Sequence, residues 1–151
     1  MIHGMENLDR RNVFLGLAAL IAGAGVAGGQ EPKVLATSQA YPFDQLPVKK
    51  SANGGASRAV VTGVLPTGEA VEVHETVLPP GQMPHPPHKH RNSEFIMIRE
   101  GTVEFYHDGK TEQIGPGGIM FNASNQMHSM KNTGTVDAQY FVVAIGRVTA
   151  S

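Results

Sequence analysis

A histidine-rich stretch, Gly81–Gly101, constrains this chain more than any other part of its sequence. It contains His88 and His90, separated by one lysine, and Glu94 follows four residues after the second histidine. Alternate residues of an extended strand point to the same side, so the two imidazoles can be directed at one point. Glu94 begins the apolar run 95–98, which is typical of a strand, and its carboxylate can complete a cluster with the two imidazoles.

A fourth candidate ligand, His128, lies far downstream in the chain. Three imidazoles and one carboxylate suit a divalent first-row transition metal. Because the chain contains no cysteine, a metal would be held by nitrogen and oxygen atoms alone. A lone pair of histidines at this spacing is more often an ordinary surface or core pair, so the metal interpretation depends on the motif around it.

The spacing of these residues resembles the two sequence motifs of the cupin superfamily. Residues 81–101 read G-x6-H-x-H-x3-E-x6-G, with one more residue before the first histidine than the family pattern usually has. Residues 109–118 read G-x6-P-x-G and residues 128–132 read H-x3-N, which resembles the second motif. The resemblance covers most of the region 81–132 and implies a small single-domain cupin.

This resemblance carries expectations about fold and metal binding. The fold it implies is a jelly-roll barrel. A set of neutral imidazoles and one carboxylate leaves one or two coordination positions open for water, oxygen or a chelating substrate. The metal can be Mn, Fe, Ni, Zn or Cu, since the order of affinities does not choose among them. By the family pattern, the metal ligands are His88, His90, Glu94 and His128.

The pattern of strands and turns independently favours an all-β fold. Runs of β-branched and apolar residues recur about every ten residues, and turn formers such as Asp108-Gly109 separate them. This pattern indicates an all-β sandwich or barrel. The resemblance implies more narrowly that residues 56–151 form a cupin-type double-stranded β-helix, or jelly-roll barrel. An extended arm, residues 30–55, and a signal helix, residues 1–29, are expected to precede it.

The first 29 residues predict an export signal. A charged segment with Arg10 and Arg11 precedes the Ala- and Gly-rich apolar run 13–27, which resembles a twin-arginine signal peptide. The alternative is an uncleaved membrane anchor, although a span of about fifteen residues is short of the roughly 20 that a transmembrane helix needs. We expect a periplasmic or secreted protein, without membrane association after signal removal.

The arm shows no helical or strand period but carries spaced apolar residues. We expect it to pack against the barrel or a partner subunit, and the alternative is a linker left behind by the signal. The apolar residues are Tyr41, Phe43, Leu46 and Val48.

Charge and alternation limit the partners of the protein. The net charge is -1 and no long basic run is present, so no electrostatic footprint for nucleic acid exists. If Glu94 points into the barrel, alternation places Phe95 and Met97 on the outside. A homodimer interface is one cover for such a surface, and the arm or a second core between sheets are the alternatives.

A substrate pocket is expected beside the metal ligands. His85 lies in a stiff Pro-rich segment, and its odd spacing from His88 would make the two face apart if the strand continued back, which places His85 at the rim. The residues predicted to line the pocket are His85, Phe105, Phe121 and Met130.

Two functional classes fit this sequence. The first is a metal-dependent enzyme of oxygenase, isomerase or lyase type that acts on a small molecule. The second is a non-catalytic cupin that binds a sugar or an organic acid. No serine stands in a nucleophile motif and no general base stands out. The open coordination position favours chemistry, because a purely structural site does not need one.

Overall fold

The computed structural model describes residues 32–147. The predicted signal lies outside the described residues, so export remains a prediction. No helix among the described residues is long and apolar enough to cross a membrane. One 3-10 turn, Phe43–Gln45, precedes the strands β1 Val48–Lys50, β2 Ala56–Val64, β3 Glu69–Leu78, β4 Ser93–Glu100, β5 Val103–His107, β6 Lys110–Ile114, β7 Ile119–Asn122, β8 His128–Asn132 and β9 Ala138–Arg147.

The strands form two antiparallel sheets that enclose one core. The larger sheet has the order β1-β2-β3-β9-β4-β7, and the smaller has the order β6-β5-β8. Buried side chains from both sheets, such as Tyr140 of the larger and Val103 of the smaller, belong to a single hydrophobic cluster. This is the all-β architecture that the strand pattern predicts and the double-stranded β-helix that the resemblance implies.

Strand β4 shows how alternation separates the interior from the exterior. Ile96 and Ile98 are buried, whereas Phe95 is 43% exposed and Met97 is 36% exposed. The neighbouring strand β7 follows the same rule, and the ring of its Phe121 lies 4.9 Å from that of Phe95. The outer face of β4 and β7 therefore carries an exposed apolar surface.

Two glycines of the sequence motifs, Gly101 and Gly109, have backbone conformations with positive φ. Asp108 and Gly109 both have positive φ, 48° and 72°, as a two-residue turn between β5 and β6 requires. Gly101 has φ 79°, and a Cβ there would lie 2.7 Å from the Cα of Ala138. No other residue type fits position 101 without moving β9.

The arm packs along the barrel. Its β1 pairs with β2 in antiparallel register, although the sequence pattern did not predict a strand there. Further upstream, Val34 forms a parallel bridge with Val64, and the N–H of Leu35 donates to the carbonyl of Val64 at 2.8 Å. Residues 32–55 are thus held by main-chain hydrogen bonds and not only by apolar contacts.

A charged cluster fastens the arm to the outer face of the larger sheet. Arg58 and Arg99 approach Glu75, with N–O distances of 3.9 and 3.2 Å, and the carboxylate is fully buried. Phe43 of the arm covers both guanidinium groups, whose central carbons lie 4.3 and 5.1 Å from its ring centroid. This explains why Glu75 interrupts an outward row of valines on β3.

The protonation of Glu75 should make the free energy of unfolding depend on pH. Burial raises the pKa of Glu75 more than the attraction of Arg99 and Arg58 lowers it. A carboxyl whose pKa is higher in the folded state stabilises the fold more at low pH, and this contribution is lost as the pH rises through the folded pKa.

We therefore expect the free energy of unfolding of the wild type, relative to that of Glu75→Gln, to fall as the pH rises from acid to neutral. Urea denaturation of both proteins across this pH range measures the difference, because contributions of other groups cancel. A difference that stays constant, or that grows toward neutral pH, would contradict the proposed balance.

Candidate metal centre

Three histidines from two distant parts of the chain converge inside the barrel. One ring nitrogen each of His88, His90 and His128 lies within 4.8 Å of the others. The backbones of His88 and His128 bond reciprocally, since each N–H donates to the other residue's carbonyl at 3.1 and 2.9 Å. The strand start at His128 is thereby held against the histidine pair that the sequence motif contains.

Hydrogen bonds to main-chain carbonyls orient two of the rings. Nδ1 of His90 donates to the carbonyl of Asn92 at 2.8 Å, and Nδ1 of His128 donates to that of Gln126 at 3.0 Å. Because a carbonyl only accepts, the proton sits on Nδ1 and Nε2 keeps a free lone pair. Both Nε2 atoms are buried and have no hydrogen-bond partner within residues 32–147. Metal-ligating histidines have this arrangement.

Glu94 completes the cluster. Its Oε2 lies 3.3 Å from Nε2 of His90 and 3.9 Å from Nε2 of His128. Asn122 stands opposite Glu94 on β7, and its Nδ2 donates to the same carboxylate oxygen at 3.1 Å. All four residues that the sequence predicts as ligands are therefore brought together, and Asn122 orients the carboxylate.

The electrostatics of the cluster favour neutral imidazoles at His88 and His128 and an ionised carboxylate at Glu94. Burial, helped by the neighbouring histidines, lowers the pKa of His88 to about 4 and also lowers the pKa of His128. Burial alone would raise the pKa of Glu94, but contacts with His90 and Asn122 overcome this and lower it to about 2. The contact with Glu94 raises the pKa of His90, so protons compete with a metal for this ring more strongly than for the other two.

A cavity of about 860 Å³ opens beside these four residues. Phe105 and Met130 are both buried, stand opposite each other on β5 and β8, and line the cavity as the sequence predicts. Phe121 lies elsewhere, because alternation in β7 directs Asn122 and Met120 inward and Phe121 outward, where it is 50% exposed. The prediction for Phe121 placed it on the wrong face of a four-residue strand.

His85 lies closer to the cluster than its spacing suggested. Its ring centroid is 3.9 Å from that of His88 and nearly perpendicular to it, and the residue lines the cavity. Residues 84–87 bend and form no strand, so the alternation that would make the two rings face apart does not apply. Nδ1 of His85 is buried without a hydrogen-bond partner among the described residues, which leaves it available to a ligand.

The opposite wall of the cavity carries two polar residues that the sequence reasoning did not assign to the site. Glu72 and His74 of β3 line the cavity, and Nδ1 of His74 lies 2.9 Å from each carboxylate oxygen of Glu72. Their shared face was evident from alternation in the sequence. The pairing of β3 with β9, which turns that face toward the metal ligands, was not.

The donor set fits a divalent transition metal. It offers three imidazole nitrogens and one carboxylate oxygen, and two of these nitrogens are buried without a hydrogen-bond partner in the described part of the chain. A buried nitrogen without a partner costs free energy, and a bound cation would remove that cost. The three histidines can therefore hold a metal ion, with the carboxylate of Glu94 beside them.

Comparisons with known proteins agree with the architecture. Residues 74–144 match the family model described as "Cupin domain". No curated protein matches the chain. A predicted oxalate decarboxylase from Thermotoga maritima shares 22% identity at a TM-score of 0.60, covering 73% of this chain and 100% of its own.

Two further solved structures show the same likeness. KdgF from Halomonas sp. shares 13% identity at a TM-score of 0.61, covering 72% of this chain and 94% of its own. A sugar phosphate isomerase of the cupin superfamily from Silicibacter pomeroyi shares 18% identity at a TM-score of 0.60, covering 74% and 76%. At such identities the likeness concerns the fold. Residues 74–144 are thus similar to a cupin domain, and the solved structures share the fold of the barrel.

Proposed function

We propose that this protein binds a divalent transition metal through His88, His90, Glu94 and His128 and acts as a metal-dependent enzyme on a small molecule. The observation that carries the proposal is the pair of buried Nε2 atoms on two oriented histidines, which have no partner within the described residues and lie beside an ionised carboxylate. When bound, the metal would act as a Lewis acid or, if it is iron, would bind oxygen.

The residues of the chain determine what such a site can accept. Three neutral imidazoles and one carboxylate leave a net positive charge around a divalent ion, which attracts an anionic group of a ligand. Lys49 and Lys50 line the mouth of the cavity and add positive charge there. Phe105 and Met130 give the cavity an apolar wall, and its volume lies within the usual range of small-molecule sites.

The alternative is a binding protein that holds a sugar or an organic acid without turnover. It remains a candidate because no serine of the sequence stands in a nucleophile motif, and because the cupin fold carries both kinds of function. The named activities of the structural neighbours, a predicted decarboxylase and an isomerase, also differ from one another. Neither activity is proposed for this chain.

Metal content tests the ligand assignment. We expect the double variant with His88→Ala and His128→Ala to lose bound metal, because two of the four donors are removed. Elemental analysis by mass spectrometry measures this. The control is His107→Ala, since His107 pairs with Glu112 at 2.7 Å and does not line the cavity. Full metal content in the double variant would refute the assignment.

Removal of the metal should also destabilise the wild type. A ligand that binds only the folded state contributes about 4 kcal/mol when its concentration is a thousand times its Kd. We therefore expect a chelator to lower the Tm of the wild type and to leave that of the double variant nearly unchanged. Equal shifts in the two proteins would mean that the chelator acts elsewhere.

Metal identity and turnover separate the two functional classes. Protein purified from its own source is analysed for metal and then assayed with small hydroxy acids and sugars. Iron together with substrate-dependent oxygen consumption supports an oxygenase, and substrate conversion without oxygen use supports an isomerase or lyase. Binding of a substrate without conversion, in a fully metal-loaded sample, would favour the non-catalytic alternative.

We further propose that a second copy of the chain covers the apolar outer face of β4 and β7. This face exposes Phe95, Met97, Ile119 and Phe121, and β7 is an edge strand of the larger sheet. A two-fold contact between identical apolar faces would bury all of them at once.

Light scattering should therefore give the mass of two subunits at micromolar concentration, and the variant Phe95→Ser with Phe121→Ser should shift it toward one subunit. Tyr106→Ser is the matched control, since this ring is similarly exposed but belongs to the smaller sheet. A single-subunit mass for the wild type would refute the dimer.

A further inference from the structure

Glu72 and His74 form a second polar group on the wall of the cavity, apart from the metal ligands. The main chain of Glu72 and its side chain are mostly buried, and the residue is 8% exposed. The side chain of His74 is 17% exposed and, like Glu72, lines the cavity. Both carboxylate oxygens lie 2.9 Å from Nδ1 of the imidazole, so this nitrogen is fully engaged by its neighbour.

The pairing of strands fixes where this group lies relative to the metal ligands. Glu72 stands opposite Ala144 of β9, and Ala144 stands opposite Glu94 of β4. Glu72 and Glu94 thus occupy one row across the sheet with a single strand between them. Neighbouring strands are about 4.8 Å apart, so the two backbone positions are separated by about 10 Å.

The residue between the two groups is small. Ala144 is buried, lines the cavity and offers only a methyl group where a larger side chain would fill the interior. The next inward row continues with His74, Val142 of β9 and Ile96 of β4. The cavity therefore extends from the metal ligands over an apolar floor to Glu72 and His74, and one ligand can touch both ends.

The chemistry of the pair specifies what it can receive. The carboxylate oxygens of Glu72 accept hydrogen bonds, so Nδ1 of His74 carries the hydrogen atom and donates a hydrogen bond to them. The other ring nitrogen, Nε2, then has a free lone pair and accepts a hydrogen bond. A hydroxyl group of a ligand supplies that donor.

We propose that Glu72 and His74 form a second ligand subsite, in which Nε2 of His74 accepts a hydrogen bond from a hydroxyl group of a ligand whose carboxylate binds at the metal ligands. The ligand class is a hydroxylated carboxylate long enough to cross Ala144. This inference rests on the proposed metal centre. His74 acts here by positioning the ligand, with Glu72 holding its ring.

A comparison within the chain shows why location matters. His107 and Glu112 form a similar imidazole–carboxylate pair, with 2.7 Å between Nε2 and Oε2, but neither residue lines the cavity. Such a pair at the surface needs no ligand to explain it. The pair on β3 differs because its free nitrogen belongs to a residue that faces the same enclosed space as the metal ligands.

Calorimetry on the full-length, zinc-loaded protein tests the proposal with two matched pairs of probes. Gluconate and hexanoate have the same chain length, with and without hydroxyl groups, and glycerate and propionate form a shorter pair. We expect the wild type to bind gluconate about fivefold more tightly than hexanoate, since one hydrogen bond contributes this order of affinity. The shorter pair should show a smaller difference, because glycerate does not reach His74.

Three variants separate the role of His74 from a merely structural one. His74→Asn keeps an amide that can donate to Glu72 but lacks an atom at the Nε2 position, so the preference for gluconate should disappear. His74→Gln carries a polar atom near that position and should restore part of the preference. Ala144→Leu should weaken the binding of gluconate more than that of propionate, because the added side chain blocks the passage between the two subsites.

His107→Ala is the control and should retain the full preference. Metal content is measured for every variant. An equal affinity for gluconate and hexanoate in the metal-loaded wild type, failure of all four probes to bind it, or an unchanged preference in His74→Asn would overturn the second subsite. None of these results would touch the metal assignment, whereas a wild type that takes up no zinc would overturn the proposed metal centre itself.

Discussion

The site depends on the reciprocal backbone pairing of His88 and His128. These two residues are far apart in the chain, and their main-chain hydrogen bonds place β8 against the segment that precedes β4. Once this pairing forms, the imidazoles of both residues must share the interior with His90. Hydrogen bonds to the carbonyls of Asn92 and Gln126 orient the rings of His90 and His128. The Nε2 atoms of both rings then lie in the same cluster. The two imidazole rings are thus oriented by main-chain acceptors, an arrangement found for histidines that bind metals.

Strand β9 connects this site to the rest of the barrel. It lies between β3 and β4, so its inward residues form the floor between the metal ligands and the polar pair on β3. Val142 and Ala144 are both buried and make this floor apolar. The small side chain of Ala144 leaves space for a ligand above it. The last strand of the chain therefore determines the shape of a site to which it contributes no candidate metal ligand.

Much of the fold and the four candidate ligands could be predicted from sequence, because alternation in β4 and the spacing of the two motifs are local properties. What failed depended on partners that sequence does not reveal. Phe121 was misplaced since a strand of four residues gives too little alternation to decide its faces. His85 lies nearer to His88 than strand alternation would place it, because residues 84–87 bend and form no strand. Asn122 and His74 gained their roles from strand pairing, and Glu75 from the arm that covers it.

The cluster of Phe43, Arg58, Glu75 and Arg99 has a practical consequence for where this domain begins. A shorter polypeptide that contained only the barrel strands would lack Phe43, whose ring covers the guanidinium groups of Arg58 and Arg99. Water would then reach the carboxylate of Glu75, which is otherwise fully buried. The functional boundary of the domain therefore lies upstream of the region that the family model recognises. Recombinant versions intended for crystallography or assay should retain the residues from 32 onward.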